Sequence, residues 1–178
     1  MNEHTFNFIV VSLVQFVFFS VHYFFTKNTK PLATHLWKGV FIGLPIGLAT
    51  DLLWGKQVGL FMYYLGFQPW FLILNSALSY GLWVANVSLF QDRNVKHIVV
   101  WSLLLGFVYE AANFLFPVWQ WTFADTLTEY IVIILVASSA FTWLMMLTLR
   151  IVYKTRFKFV PFWIKWCQRG DKLPESWG

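Results

Sequence analysis

The sequence has little charge and almost no cysteine. Asp, Glu, Lys and Arg make up only 12% of the 178 residues, whereas 58% of the residues are hydrophobic. So small a charged fraction is typical of membrane proteins, because a water-facing surface needs more polar coverage. The single cysteine, Cys167, excludes an internal disulfide and a cysteine-based metal cluster.

The sequence also lacks the residue clusters that bind metals. Its histidines are scattered without ligand spacing, at His4, His22, His35 and His97. We therefore expect no metal site and no cofactor. The N-terminal stretch MNEHTFNF lacks the basic region of a signal peptide, and no small-residue cleavage site follows the first hydrophobic run. We expect that run to remain as a helix.

Long hydrophobic runs dominate what is present. They cover 6–26, 36–54, 68–90, 97–117 and 126–150, and short polar stretches separate them. Each run is long enough to cross about 30 Å of hydrocarbon at about 1.5 Å per residue. The sequence therefore predicts an all-α fold, a polytopic membrane bundle of about five transmembrane helices.

The positive charges indicate how this bundle is oriented. Twelve of the 13 Lys and Arg residues fall on the side that holds the C-terminus, and only Lys56 falls on the other side. Cytoplasmic loops carry the excess of Lys and Arg. We therefore expect a multi-pass protein of the cell (inner) membrane, with its N-terminus outside and its C-terminus in the cytoplasm.

The C-terminal segment differs in composition from the bundle. Residues 1–150 form the predicted transmembrane bundle, and 151–178 alternate basic with aromatic residues. Such a tail is typical of an anchor on anionic lipid, so membrane lipid is the expected partner. No recognisable nucleic-acid-binding module is present, and we expect no nucleic acid partner.

The second hydrophobic run carries small residues every four positions. Gly39, Gly43, Gly47 and Asp51 share one helix face. Small residues at this spacing let helices approach closely, so Asp51 is predicted to point into the bundle. The same glycine face is also a candidate surface for a homo- or hetero-oligomer.

The fourth run resembles the second. Ser102 and Gly106 precede Glu110 at four-residue spacing, and Pro117, Trp119 and Trp121 follow it much as Gly59, Phe61 and Tyr63 follow Asp51. This pattern predicts a parallel two-helix repeat, in which an acid-bearing helix leads to an aromatic exit and a return helix. Chance similarity in an aromatic-rich chain is the alternative.

Polar residues of four helices are candidates for a common pocket. An ionised carboxylate in the membrane costs about 2.5–3.5 kcal/mol on insertion scales, so it needs a proton, a cation or water. We expect an acidic pocket that opens outward, lined by Asp51, Asn75, Glu110, Asn113 and Glu129. Two simpler interpretations stay open: buried acids can join helices by hydrogen bonds, and the aromatic residues can form an interfacial belt.

Two segments resemble the small membrane-bound lycopene cyclases, of the heterodimeric or domain type. They are TDLLWGKQVGLFMY (Thr50 to Tyr63) and YEAANFLFPVWQWTF (Tyr109 to Phe123). LTEY, at 127–130, stands where that family has Pro-Leu-Glu-Glu, which is missing here.

The resemblance implies redox-neutral cyclisation of an isoprenoid or carotenoid, the chemistry of an intramolecular lyase or isomerase. It assigns Glu110 as proton donor, Asp51 or Glu129 as proton acceptor, and Trp119, Trp121 and Tyr63 as lining.

Two other function classes remain compatible with the sequence. Outward-facing carboxylates would suit a small transporter or substrate-binding subunit. A glycine-faced bundle without ligand would suit a non-catalytic assembly partner. A co-purifying isoprenoid would favour the cyclase, and a co-purifying small polar solute would favour a transporter.

Overall fold

The computed structural model describes residues 2–26, 30–91, 95–124 and 126–154. The predicted tail, 151–178, lies outside the described residues except for its first four, which continue the last helix. Within the described part, five helices are long and apolar enough to span a membrane, which indicates a membrane protein. The predicted all-α fold is confirmed.

The helices are α1 (Glu3–Phe25), α2 (Leu32–Gln57), α3 (Pro69–Phe90), α4 (Val95–Leu115) and α5, which joins Leu127–Val132, Ile133–Ala137 and Ser138–Lys154. Three of them contain a π-helical segment: Asp51–Gln57 ends α2, Ser76–Tyr80 lies inside α3 and Ile133–Ala137 lies inside α5. Such wider turns change which side chains face inward, and they are frequent at functional sites.

The two aromatic exits form short strands, which the sequence did not predict. β1 (Phe61–Tyr63) pairs antiparallel with β2 (Trp119–Trp121) in the register Phe61–Trp121, Met62–Gln120 and Tyr63–Trp119. Backbone bonds from Tyr64 N–H to the Val118 carbonyl and from Thr122 N–H to the Leu60 carbonyl extend the pairing. The ribbon therefore ties the end of α2 to the end of α4.

α3 is the central helix of the bundle. It packs against α1, α2, α4 and α5, and every residue of its second half, Gly81–Phe90, is buried except the partly buried Ser88. The closest approach is to α2, where a Cβ atom on Gly39 would lie 2.2 Å from the Gly81 carbonyl oxygen and one on Gly43 would lie 2.5 Å from the Gly81 nitrogen.

This packing corrects the predicted use of the glycine face. Gly39, Gly43 and Gly47 contact Gly81, Tyr80 and Ser76 of the same chain. The face is therefore occupied within the bundle, and an oligomer would have to use another surface.

The structure also supports the two-helix repeat. Gly47 lies four residues before Asp51 and packs on Ser76 of the return helix α3, while Gly106 lies four residues before Glu110 and packs on Ser138 of the return helix α5. Each return helix has its π-helical segment one to two turns after its start. The two acids thus occupy equivalent places in two similar helix–strand–helix units.

Candidate functional site

A cavity of about 480 Å³ lies beneath the β ribbon. Its volume is in the range of small-molecule sites, and its walls are mainly apolar and aromatic. The ribbon supplies Phe61, Tyr63, Trp119 and Trp121. The deeper walls come from Asn75, Ser79, Tyr80 and Trp83 of α3, Tyr109 and Glu110 of α4, and Ser138 and Phe141 of α5.

Glu110 is the carboxylate that lines this cavity. Its side chain is only 5% exposed, and its Oε2 accepts a hydrogen bond of 3.1 Å from the Trp121 indole N–H. The strand pairing places Trp121 opposite Phe61, and both rings line the same cavity as Glu110. The helix thus brings a single acid to a mainly apolar wall.

Asp51 lies behind the cavity wall and does not line it. It is 0% exposed, and three donors reach its carboxylate: the Tyr63 hydroxyl at 2.7 Å, the Tyr80 hydroxyl at 2.8 Å and the Asn75 amide at 3.4 Å. The Asn75 amide also donates to the Tyr63 oxygen at 2.8 Å. All three partners line the cavity, so Asp51 acts on it only through them.

Tyr63 lies outside the membrane-spanning helices, and burial raises the pKa of its hydroxyl well above the ordinary value. The negative charges that Tyr80 and Asp51 can carry raise this pKa further. Tyr63 is therefore a neutral hydrogen-bond donor throughout the physiological pH range. This neutral state keeps its proton directed at Asp51.

Asn113 has a different place from the predicted one. Its Oδ1 accepts hydrogen bonds from Val118 N–H at 2.9 Å and Trp119 N–H at 3.0 Å, and its amide donates to the Trp119 carbonyl at 2.9 Å. It is not among the residues that line the cavity. Asn113 therefore holds β2 in position and supports the site indirectly.

Glu129 is not brought to the cavity either. It is exposed at the N-terminus of α5, where its Oε2 accepts a 2.8 Å bond from Thr126 N–H and the Thr126 hydroxyl accepts a bond from Glu129 N–H. This reciprocal pair is a capping box. The predicted role of Glu129 as a proton acceptor is therefore corrected to a helix cap, because the backbone N–H and the hydroxyl of Thr126 both donate to its carboxylate.

Several lining residues were missed in the sequence. Tyr80, Trp83 and Tyr109 lie among apolar residues, and nothing in their spacing distinguishes them from ordinary core aromatics. Ser79 had a usable signal, because Asn75, Ser79 and Trp83 recur every four residues and so share one face of α3. The π-helical turn that directs Tyr80 toward Asp51 left no such signal.

The cavity is open between α2 and α5. Trp54 of α2 and Leu144 of α5 both line it, yet they are 53% and 51% exposed. Among the described residues, α2 packs extensively on α3 and the ribbon but not on α5. The predicted opening at the helix ends is therefore replaced by a sideways one: the ribbon lies at the ends of α2 and α4, and the mouth lies between α2 and α5.

Within the described ranges, no three His, Cys, Asp or Glu side chains come together as a metal site would need. Comparisons with family models, with curated proteins and with solved structures gave no match for this chain.

Proposed function

We propose that this membrane protein carries out redox-neutral acid/base chemistry on an isoprenoid, with Glu110 as the catalytic group and cyclisation of a polyene as the reaction. The observation that carries the proposal is the position of Glu110, a lone carboxyl in an aromatic cavity that opens on the side of the bundle. With the predicted orientation, the cavity would lie in the outer half of the membrane.

The chemistry requires no oxidant or reductant. A neutral Glu110 gives its proton to a terminal double bond of the polyene, which forms a C–H bond and a carbocation. The π electrons of a second double bond then close the ring. Loss of a proton from a carbon beside the new cation restores a double bond, so that the product is an isomer of the substrate.

The cavity walls suit such an intermediate. Ring faces attract cations, and the rings of Trp119, Trp121 and Tyr63 lie in the walls around Glu110. Exclusion of water by the apolar walls protects the cation from being trapped as an alcohol.

Asp51 is a candidate proton acceptor that would receive the proton through Tyr80. The Tyr80 oxygen can take a proton from the substrate while its own proton passes along its 2.8 Å hydrogen bond to Asp51. The carboxylate left on Glu110 is the other acceptor that the geometry offers. In either case Asp51 also positions Tyr63 and Tyr80, because its carboxylate accepts from both hydroxyls.

A transporter of small polar solutes receives less support. The mainly apolar lining offers such a solute few partners, and the exposed lining residues face the side of the bundle where lipid would lie. The isoprenoid proposal accounts for both features.

The test is turnover of an acyclic polyene, with lycopene and farnesol supplied separately, by the purified protein in lipid nanodiscs. Glu110→Gln keeps the size of the side chain and a carbonyl acceptor for Trp121 but removes the proton donor. Loss of general acid catalysis costs about 10²- to 10⁴-fold, so cyclic product should fall by at least about 100-fold.

Glu129→Gln is the matched control, since it removes a carboxylate of the same type from an exposed helix cap. It should leave turnover close to that of the unaltered protein. Equal product formation by the Glu110→Gln variant would end the assignment.

A further inference from the structure

Two polar atoms of the cavity residues have no hydrogen-bond partner among the described residues. They are Asn75 Oδ1 and Ser79 Oγ, both buried on α3. They lie one helical turn apart on the same face, and both residues line the cavity that contains Glu110. Leaving a buried polar atom without a partner costs about 1–3 kcal/mol.

The orientation of the Asn75 amide fixes which chemistry its oxygen needs. Its nitrogen donates to Tyr63 and to Asp51, so the oxygen is the end without a partner. A carbonyl oxygen only accepts hydrogen bonds. Asn75 Oδ1 therefore needs a hydrogen-bond donor from the ligand, while the Ser79 hydroxyl can donate or accept.

A hydroxyl group meets both requirements at once, because it donates one hydrogen bond and accepts others. A pure hydrocarbon would fill the aromatic walls but leave both atoms of α3 unpaired. A ligand with a charged head group would place that charge against the apolar remainder of the lining. The chemistry of the walls thus favours an apolar chain that ends in one hydroxyl.

We propose that the ligand of this cavity is an isoprenoid alcohol, an apolar chain dissolved in the membrane whose terminal hydroxyl binds between Asn75 and Ser79. This inference rests on the proposed function, since it concerns the same cavity and narrows its substrate class from isoprenoids to hydroxylated ones. The chain extends from the hydroxyl past Glu110 to the opening between α2 and α5.

The experiment measures binding without turnover. Protein in phosphatidylcholine nanodiscs is labelled with a diazirine derivative of farnesol, and the label on Tyr80 and Phe141 is quantified by peptide mass spectrometry. Unlabelled farnesol and the hydrocarbon with the same carbon chain compete at equal mole fraction in the bilayer. One buried hydrogen bond corresponds to about a tenfold preference for the alcohol.

Two serine variants separate the hydroxyl contact from general packing. Ser79→Ala should reduce the preference for the alcohol several-fold. Ser76→Ala is the matched control: Ser76 is also buried and its Oγ likewise has no partner in the described part of the chain, but it does not line the cavity. That variant should keep the full preference.

The outcomes separate this inference from the proposed function. Equal competition by the hydrocarbon, or no effect of Ser79→Ala, overturns the hydroxyl site but leaves acid catalysis by Glu110 standing. An intact alcohol preference together with turnover that is insensitive to Glu110→Gln supports the binding site and refutes the catalytic role. Absence of label from Tyr80 and Phe141 refutes the isoprenoid alcohol as ligand.

Discussion

Two acids in similar sequence positions have different surroundings in the structure. Asp51 accepts from the side chains of Tyr63, Tyr80 and Asn75 behind the cavity wall, whereas Glu110 accepts from the indole N–H of Trp121 within the cavity. Part of this difference comes from the aromatic residues of the strand that follows each acid, β1 after Asp51 and β2 after Glu110. A Tyr hydroxyl follows Asp51, while Trp121, with a single N–H, follows Glu110.

The hydroxyl of Tyr63 gives a test of the Asp51 network. Tyr63→Phe removes one bond to Asp51 and one from Asn75, so the free energy of unfolding should fall by about 1.5–3 kcal/mol. Unfolding of the detergent-solubilised protein in increasing dodecyl sulfate measures this change.

Tyr64→Phe supplies the control from the adjacent residue. Its hydroxyl is exposed and makes one long bond of 3.3 Å to Gln120. Its removal should change stability by less than about 0.5 kcal/mol. Equal effects of the two substitutions would mean that the buried network contributes nothing measurable.

At the scale of elements, glycine sets the spacing of α2 and α3. The backbone of α3 is so near that a Cβ atom on Gly43 would lie 2.5–2.7 Å from atoms of Tyr80 and Gly81. Backbone atoms cannot rotate away as side chains can, so any larger residue must push the helices apart. Because Tyr80 is also a partner of Asp51, this spacing positions the site.

Gly43→Ala should therefore destabilise the bundle by about 1–3 kcal/mol, the usual cost of overpacking. The readout is again dodecyl sulfate unfolding. The same substitution on the facing helix, Gly81→Ala, is the control, because its Cβ atom would make only ordinary contacts at 3.5 Å.

Alanine favours helix by about 1 kcal/mol over glycine, so Gly81→Ala should be neutral or stabilising. A Gly43→Ala protein as stable as the Gly81→Ala protein would show that the two helices are not in close contact.

The strands show where sequence patterns stop being informative. FMY and WQW are too short for alternation to identify them as strands, and each gains its hydrogen bonds from the other across a separation of 58 residues. The spacing of both segments from their acids was nevertheless visible as a repeat. Pairing between repeats is a tertiary property, so the sequence predicted the likeness of the two exits but not their contact.

For the whole molecule, the arrangement of helices decides how a ligand reaches Glu110. α3 stands in the centre, α2 and α5 lie on its sides without packing extensively on each other, and the cavity opens in the gap. A chain in the surrounding lipid can enter there without crossing water. This route suits a ligand that is stored in the membrane.

A large side chain at the mouth should block this route. Ala140 is exposed and lines the cavity from α5, so Ala140→Phe should reduce labelling of Tyr80 and Phe141 several-fold when a diazirine-bearing alkane is dissolved in the nanodisc bilayer. Label on Leu135, an exposed residue of the same helix away from the lining, serves as the internal reference.

Ala49→Phe is the control, since Ala49 is exposed on α2 next to the cavity residue Thr50 but does not line the cavity. It should leave labelling unchanged. Undiminished labelling in the Ala140→Phe protein would place the entrance elsewhere.

The sequence by itself determined the five helices, the inward direction of Asp51 and Glu110, and the similarity of the two helix pairs. These features depend on hydrophobic length and on periodicity along one helix, and both are local properties. Only the tertiary structure decided that Asp51 is shielded by Tyr63 and Tyr80, that Glu129 caps a helix and that the cavity opens sideways. Those outcomes depend on which helices are neighbours and on π-helical turns that rotate side chains. Neither can be predicted from the spacing of residues in the sequence.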